Sequence, residues 1–65
     1  MNSDYYQILG ITAAAGTDDV LKAYRSLALQ YHPDRNAHPE AARQMSLINE
    51  AYAVLSEPAR RKDYD

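Results

Sequence analysis

The sequence predicts an all-α fold, an antiparallel two-helix hairpin with one short helix at each end. Three observations lead there. Gly occurs only at positions 10 and 16 and Pro only at 33, 39 and 58, and these residues punctuate the chain into segments. The two central segments repeat apolar residues with the helical period. Between them lies a connection of roughly six to eight residues, of the kind that joins antiparallel helices.

The first segment, DYYQILG, opens with Asp4 as N-cap and closes at Gly10 as the residue after the helix. Two turns are too short to stand alone, so this helix must dock on something. The second helix has Thr17 as its expected N-cap, with Asp18 and Asp19 in the first turn, where carboxylates meet the positive end of the dipole. At about 100° per residue, Val20, Tyr24, Leu27 and Tyr31 gather on one core stripe flanked by Ala23 and Ala28. Lys22, Arg25, Ser26 and Leu29 stand opposite. Pro33 disfavours the helical region for His32, so the helix should end near Tyr31.

The third helix starts near Pro39, with Glu40 beside it. Ala41, Met45, Ile48, Tyr52 and Leu55 line one face, and Leu47 and Val54 form a second apolar edge that can receive a short helix. Ser56 is the expected cap of a last short helix within EPARRKDYD, with Pro58 in its first turn.

Composition narrows the function. A chain of 65 residues is one small domain, and it buries only ~60% of its unfolded surface. There is no cysteine, so stability rests on helix packing. All six aromatics are tyrosines, which should sit at the core's edge with their hydroxyls reaching water or backbone. No apolar run approaches the ~20 residues of a membrane span, and MNSDYYQ lacks a signal pattern. The expectation is a soluble, cytoplasmic, monomeric domain. A net charge of −2 argues against bulk binding to nucleic acid or anionic lipid.

The loop HPDRNAHP has ordinary turn chemistry in its Pro, Asp and Asn. It is nevertheless longer than the hairpin requires, and it carries imidazole and charged groups at a rigid point, where binding residues tend to sit. His32, Asp34 and His38 offer three metal donors, but neither their spacing nor a fourth ligand supports a site, and no cofactor is expected. General acid–base chemistry by His32 and Asp34 needs a water-excluding pocket that a hairpin tip does not offer. With no nucleophile–base pair and no glycine-rich phosphate loop, the chain is not expected to be an enzyme.

DYYQILGI, KAYRSLALQYHPDRN and INEAYAVLSEPARRKDYD together resemble the J-domain of the DnaJ co-chaperone family, over nearly the whole chain. The resemblance implies a J-domain at 1–65, and a stop at Asp65 without a tail suggests a piece of a longer chain. It implies docking on a DnaK-type chaperone ATPase and faster ATP hydrolysis by that partner. His32, Pro33 and Asp34 match the essential loop, Arg35 and Asn36 adjoin it, and Lys22 and Arg25 match the family's basic second helix. The physics agrees. Pro33 restrains the tip before docking, and Asp34 can take paired, charge-assisted hydrogen bonds from an arginine.

The chain also departs from the family. Leu21, Ser26 and Gln30 stand where bases are common, and Lys22, Arg25 and Arg35 are balanced by Asp18, Asp19 and Asp34. Electrostatic steering should therefore be weak and only modestly salt-sensitive. Leu29 is either a lone surface leucine or an apolar contact at the centre of the docking patch. Met45 replaces a usual Phe, a tolerable change in a core. Arg60, Arg61 and Lys62 read as a solvated helix face, neutralised by Glu57, Asp63 and Asp65, and Tyr5–Tyr6 as packing. The alternative function is a helical scaffold or nucleic-acid module whose hairpin loop is only structural.

Overall fold

The computed structural model describes residues 4–32 and 34–65, so the expectation placed on Pro33 lies outside the described residues. Among these residues the elements are α1 (Tyr5–Leu9), α2 (Thr17–Tyr31), α3 (Pro39–Leu55) and α4 (Pro58–Tyr64), with no strand. The domain is 16 Å across in its thinnest direction, the depth of two helix layers packed face to face. A single shared layer is therefore all the core there can be.

Helix α1 survives at five residues because both ends are closed. Asp4 Oδ1 accepts the N–H groups of Tyr6 at 3.0 Å and Gln7 at 3.3 Å. Gly10, at φ +71°, donates to Gln7 O, and Ile11 N–H reaches back to Tyr6 O, the pattern of a glycine-terminated helix. Both ends are where the sequence put them. The cap of α2 is one residue earlier than expected. Gly16, extended at φ −82° and ψ 175°, is the N-cap, and Thr17 is already helical. Asp19 explains the shift, since its Oδ2 accepts the Gly16 N–H at 3.3 Å from three residues ahead.

Ser56 is a second correction. Its φ −81° and ψ −19° are still helical, and its N–H donates to Tyr52 O, so it closes α3. An N-cap needs extended backbone, and Glu57 supplies it for α4 at φ −100° and ψ 116°.

The hairpin and α1 meet in one cluster: Tyr6, Leu9, Val20, Ile48, Ala51 and Leu55, all buried. Tyr24, Leu27, Tyr31, Met45, Tyr52 and Val54 pack around it half-buried. Ala51 is fully buried although the face read from the sequence, Ala41, Met45, Ile48, Tyr52 and Leu55, left it out. The Tyr24 and Tyr52 rings stack at 4.2 Å between centroids, and the Tyr24 hydroxyl donates to Asn49 Oδ1 at 2.9 Å. Helix α4 lies against α1 through Tyr64, whose ring stacks on Tyr5 at 4.9 Å and whose hydroxyl accepts the Tyr5 N–H at 3.0 Å.

Arg61 overturns the reading of 60–62 as a wholly solvated face. Its Nε donates to the Tyr6 hydroxyl at 3.2 Å, and its Nη2 donates to Ala13 O at 3.1 Å and to Ala15 O. One guanidinium thus ties α4 to α1 and to the connection between α1 and α2. Arg60 and Lys62 remain exposed. The Tyr6 hydroxyl also donates to Asp65 Oδ1 at 2.6 Å. The Tyr64 hydroxyl meets backbone as expected, whereas those of Tyr6 and Tyr24 are satisfied by side chains.

The hydrogen bond to Asp65, and then burial, push the Tyr6 hydroxyl above its usual value of 10.0, with Arg61 opposing. Burial, followed by the Glu50 carboxylate, raises Tyr5 as well. A raised folded-state value means that the folded chain holds the proton more tightly. The stabilisation is therefore whole below 10.0 and is lost as pH climbs past it. Thermal unfolding between about pH 8 and about pH 11 should show a falling midpoint in the wild type and a shallower fall in Tyr6→Phe. Equal slopes would remove Tyr6 from the account.

Candidate functional site

Helix α2 stops at Tyr31 because His32 takes φ −63° and ψ 137°, the extended geometry favoured before a proline. The chain then turns tightly. Arg35 N–H and Asn36 N–H both donate to His32 O at 2.9 Å. Asp34 N–H donates to His32 Nδ1 at 3.2 Å, so that nitrogen carries a lone pair and Nε2 is left as the ring's donor. Asp34 Oδ2 lies 3.6 Å from the same Nδ1. With Nδ1 occupied as an acceptor, this approach is a contact without a shared proton.

The side chain of His32 is 53% exposed and that of Asp34 is 90% exposed. Neither is satisfied inward. His32 has Nε2 free of any described partner, and the Asp34 carboxylate is open to a donor from outside.

On α2, Lys22, Arg25, Ser26 and Leu29 are all exposed, as the helical period requires for the face opposite Val20. Leu29, at 63%, is the exposed large hydrophobic residue among those described. Arg25, Leu29, His32, Asp34 and Arg35 line one open groove of about 500 Å³ together with Tyr24 and Ala28. Five of the residues expected at the site thus share one surface. Lys22 lies one turn further back and Asn36 is half-buried, its Oδ1 accepting the His38 N–H at 3.2 Å. Tyr24 and Ala28 were read as core or its flank, yet both are only half-buried and reach the groove. Leu21, noted as standing in a basic position, is half-buried too. Among the described residues no three His, Asp or Glu side chains come together as metal donors.

The family model for the DnaJ domain matches residues 4–65. The chain belongs to the DnaJ domain family. As a J-domain it is 55% identical over 62 residues to the chaperone protein DnaJ of Methanosarcina thermophila, covering 95% of this chain and 16% of that protein. It is 52% identical over 65 residues to the human DnaJ homolog subfamily B member 5, covering 100% of this chain and 19% of that protein. It is also 53% identical over 62 residues to the mouse DnaJ homolog subfamily B member 12, covering 95% and 16%. The chain therefore spans less than a fifth of the length of these curated relatives. The four-helix architecture is that of the J-domain, with the groove and the exposed loop on one side of the hairpin.

Proposed function

We propose that this J-domain docks on a DnaK-type chaperone and speeds the partner's ATP hydrolysis through the loop His32–Pro33–Asp34. The observation that carries the reading is the open Asp34 carboxylate at the rim of a groove lined by Arg25, Leu29 and His32. Lys22 and Arg25 meet an acidic partner surface, Leu29 fills an apolar position at its centre, and Arg35 and Asn36 flank the tip. The reacting groups belong to the partner, and this chain contributes binding alone. Stimulation requires that the loop bind the hydrolysis-competent arrangement better than the resting one, since equal affinity for both shifts nothing. The setting is the cytoplasm, and the partner is the chaperone, with no role for nucleic acid or membrane.

The test is a loop exchange. Residues 32–36 are replaced by an unrelated turn, and single-turnover hydrolysis by the chaperone is measured with intact and exchanged domains. Loss of stimulation with retained helicity supports the reading, and undiminished stimulation makes the loop merely structural. Arg25→Ala should also weaken docking about two- to fivefold at low salt, as expected for one exposed charge pair, and flatten the salt dependence. Titrations at two ionic strengths check this, and an unchanged affinity at both removes the basic face.

A further inference from the structure

Between α2 and α3, three side chains each take a backbone N–H two residues ahead. His32 Nδ1 accepts from Asp34 at 3.2 Å, Asn36 Oδ1 from His38 at 3.2 Å, and His38 Nδ1 from Glu40 at 3.1 Å. The last of these is the N-cap of α3. Pro39 has no N–H, so the first two donors of α3 are those of Glu40 and Ala41, and both end on His38, at Nδ1 and at the carbonyl oxygen. Ser, Thr, Asp and Asn cap through an oxygen that still accepts at mildly acidic pH. An imidazole nitrogen accepts only while it carries no proton.

Resting on the docking function proposed above, we propose that His38 is a positioning residue for the loop. Its unprotonated Nδ1 fixes the first turn of α3 and so the far end of the tip, which makes stimulation of the chaperone acid-sensitive. Protonation turns Nδ1 from an acceptor into a donor facing the Glu40 N–H. It also sets a positive charge on the positive end of the α3 dipole. Both effects release the cap.

The titratable and charged groups on the elements that His38 joins are Tyr31 and His32 at the end of α2, Asp34 and Arg35 in the loop, and Glu40 and Arg43 at the start of α3. Among the described residues none forms an ion pair with His38, and the Glu40 carboxylate accepts from Gln44 along its own helix at 3.3 Å. The sign follows from the cap. The cap holds while Nδ1 keeps its lone pair for the Glu40 N–H and is broken when that nitrogen takes a proton.

The test compares wild type, His38→Ala and His38→Asn at about pH 7.5 and about pH 5.5, a span in which free imidazoles titrate. It reads hydrogen-exchange protection at Glu40 and Ala41, corrected for intrinsic rates, and single-turnover stimulation of one chaperone. At the higher pH, protection should fall about fivefold in His38→Ala, the equivalent of one lost cap. It should be kept in His38→Asn, whose Oδ1 can take the same N–H, and stimulation should rank in the same order. At the lower pH protection in the wild type should drop to the level of His38→Ala while protection in His38→Asn does not, and stimulation is compared between variants at one pH because His32 is common to all of them. All variants meet the same partner at the same pH, so the partner's own pH dependence cancels.

Protection in His38→Ala equal to that of wild type at both pH values overturns the cap, as does an acid loss of protection shared by His38→Asn. Normal stimulation by His38→Ala despite lost protection overturns the positioning role and leaves the docking function standing. Protection that follows the cap while no variant, wild type included, stimulates the chaperone overturns the docking function and the positioning role with it.

Discussion

Asp34→Asn and His32→Gln are each expected to abolish stimulation of a DnaK-type chaperone while the far-ultraviolet circular dichroism stays helical. Asp34 is 90% exposed and takes no part in the core, so removing its charge leaves the fold alone. On the proposed function, what it removes is a charge-assisted acceptor for the partner. Truncating one member of such a pair costs about 2–5 kcal/mol in a docked interface, which is ~30-fold or more in affinity. His32→Gln acts on the same tip by another route. A flexible amide replaces the rigid ring whose Nδ1 takes the Asp34 N–H, so the fixed aim of the Nε2 donor is lost while the backbone bonds to the carbonyl of residue 32 keep the turn. Stimulation measured in single turnover, beside helicity, checks both variants. Survival of stimulation in both would show that the tip is not the contact.

Ile48→Ala should nearly unfold the domain. Ile48 is 1% exposed and is among the largest fully buried side chains. Its truncation costs about 2–5 kcal/mol. A chain of this size has only ~3–10 kcal/mol of stability in total. The thermal midpoint should fall by about 10 °C or more, read by circular dichroism. Leu29→Ala supplies the contrast. At 63% exposure it should leave stability within about 0.5 kcal/mol while weakening docking. An unshifted midpoint in Ile48→Ala would mean that the core is not the shared layer described above.

What was legible in the sequence was local. Asp4 and Gly10 were readable as the ends of α1 because a carboxylate before the helix and a glycine after it each have one conformational use there. Val20, Ile48 and Leu55 were readable from periodicity, which needs only the chain's own spacing. The cap of α2 moved by one residue because a glycine can cap through its backbone while Asp19 reaches back to it. Ser56 misled because a good capping side chain does nothing when its own backbone is helical. Ala51 was passed over because it falls between Ile48 and Tyr52 in the spacing of four, three, four and three that picked out the stripe, although full burial is where a small residue lets two helices approach.

The exposed face of α2 was legible for the same reason as the core, since one is the complement of the other. The groove was legible only in part. Half-buried Tyr24 belongs to both surfaces, and periodicity assigns a residue to one. Arg61 could not have been placed from sequence. Its partners Tyr6, Ala13 and Ala15 lie some fifty positions away, and a run of bases with balancing acids looks the same whether it is solvated or tied down. His38 had a signal that was not used. A side chain with an acceptor just before Pro-Glu stands where an N-cap belongs, and imidazole is an acceptor when neutral.

The most direct measurement is single-turnover ATP hydrolysis by a DnaK-type chaperone titrated with the intact, folded domain. The account predicts a hydrolysis rate that rises with domain concentration and saturates as the exposed tip and the α2 groove are occupied. A rate that stays flat at every concentration, from a domain whose helicity is intact, would contradict it.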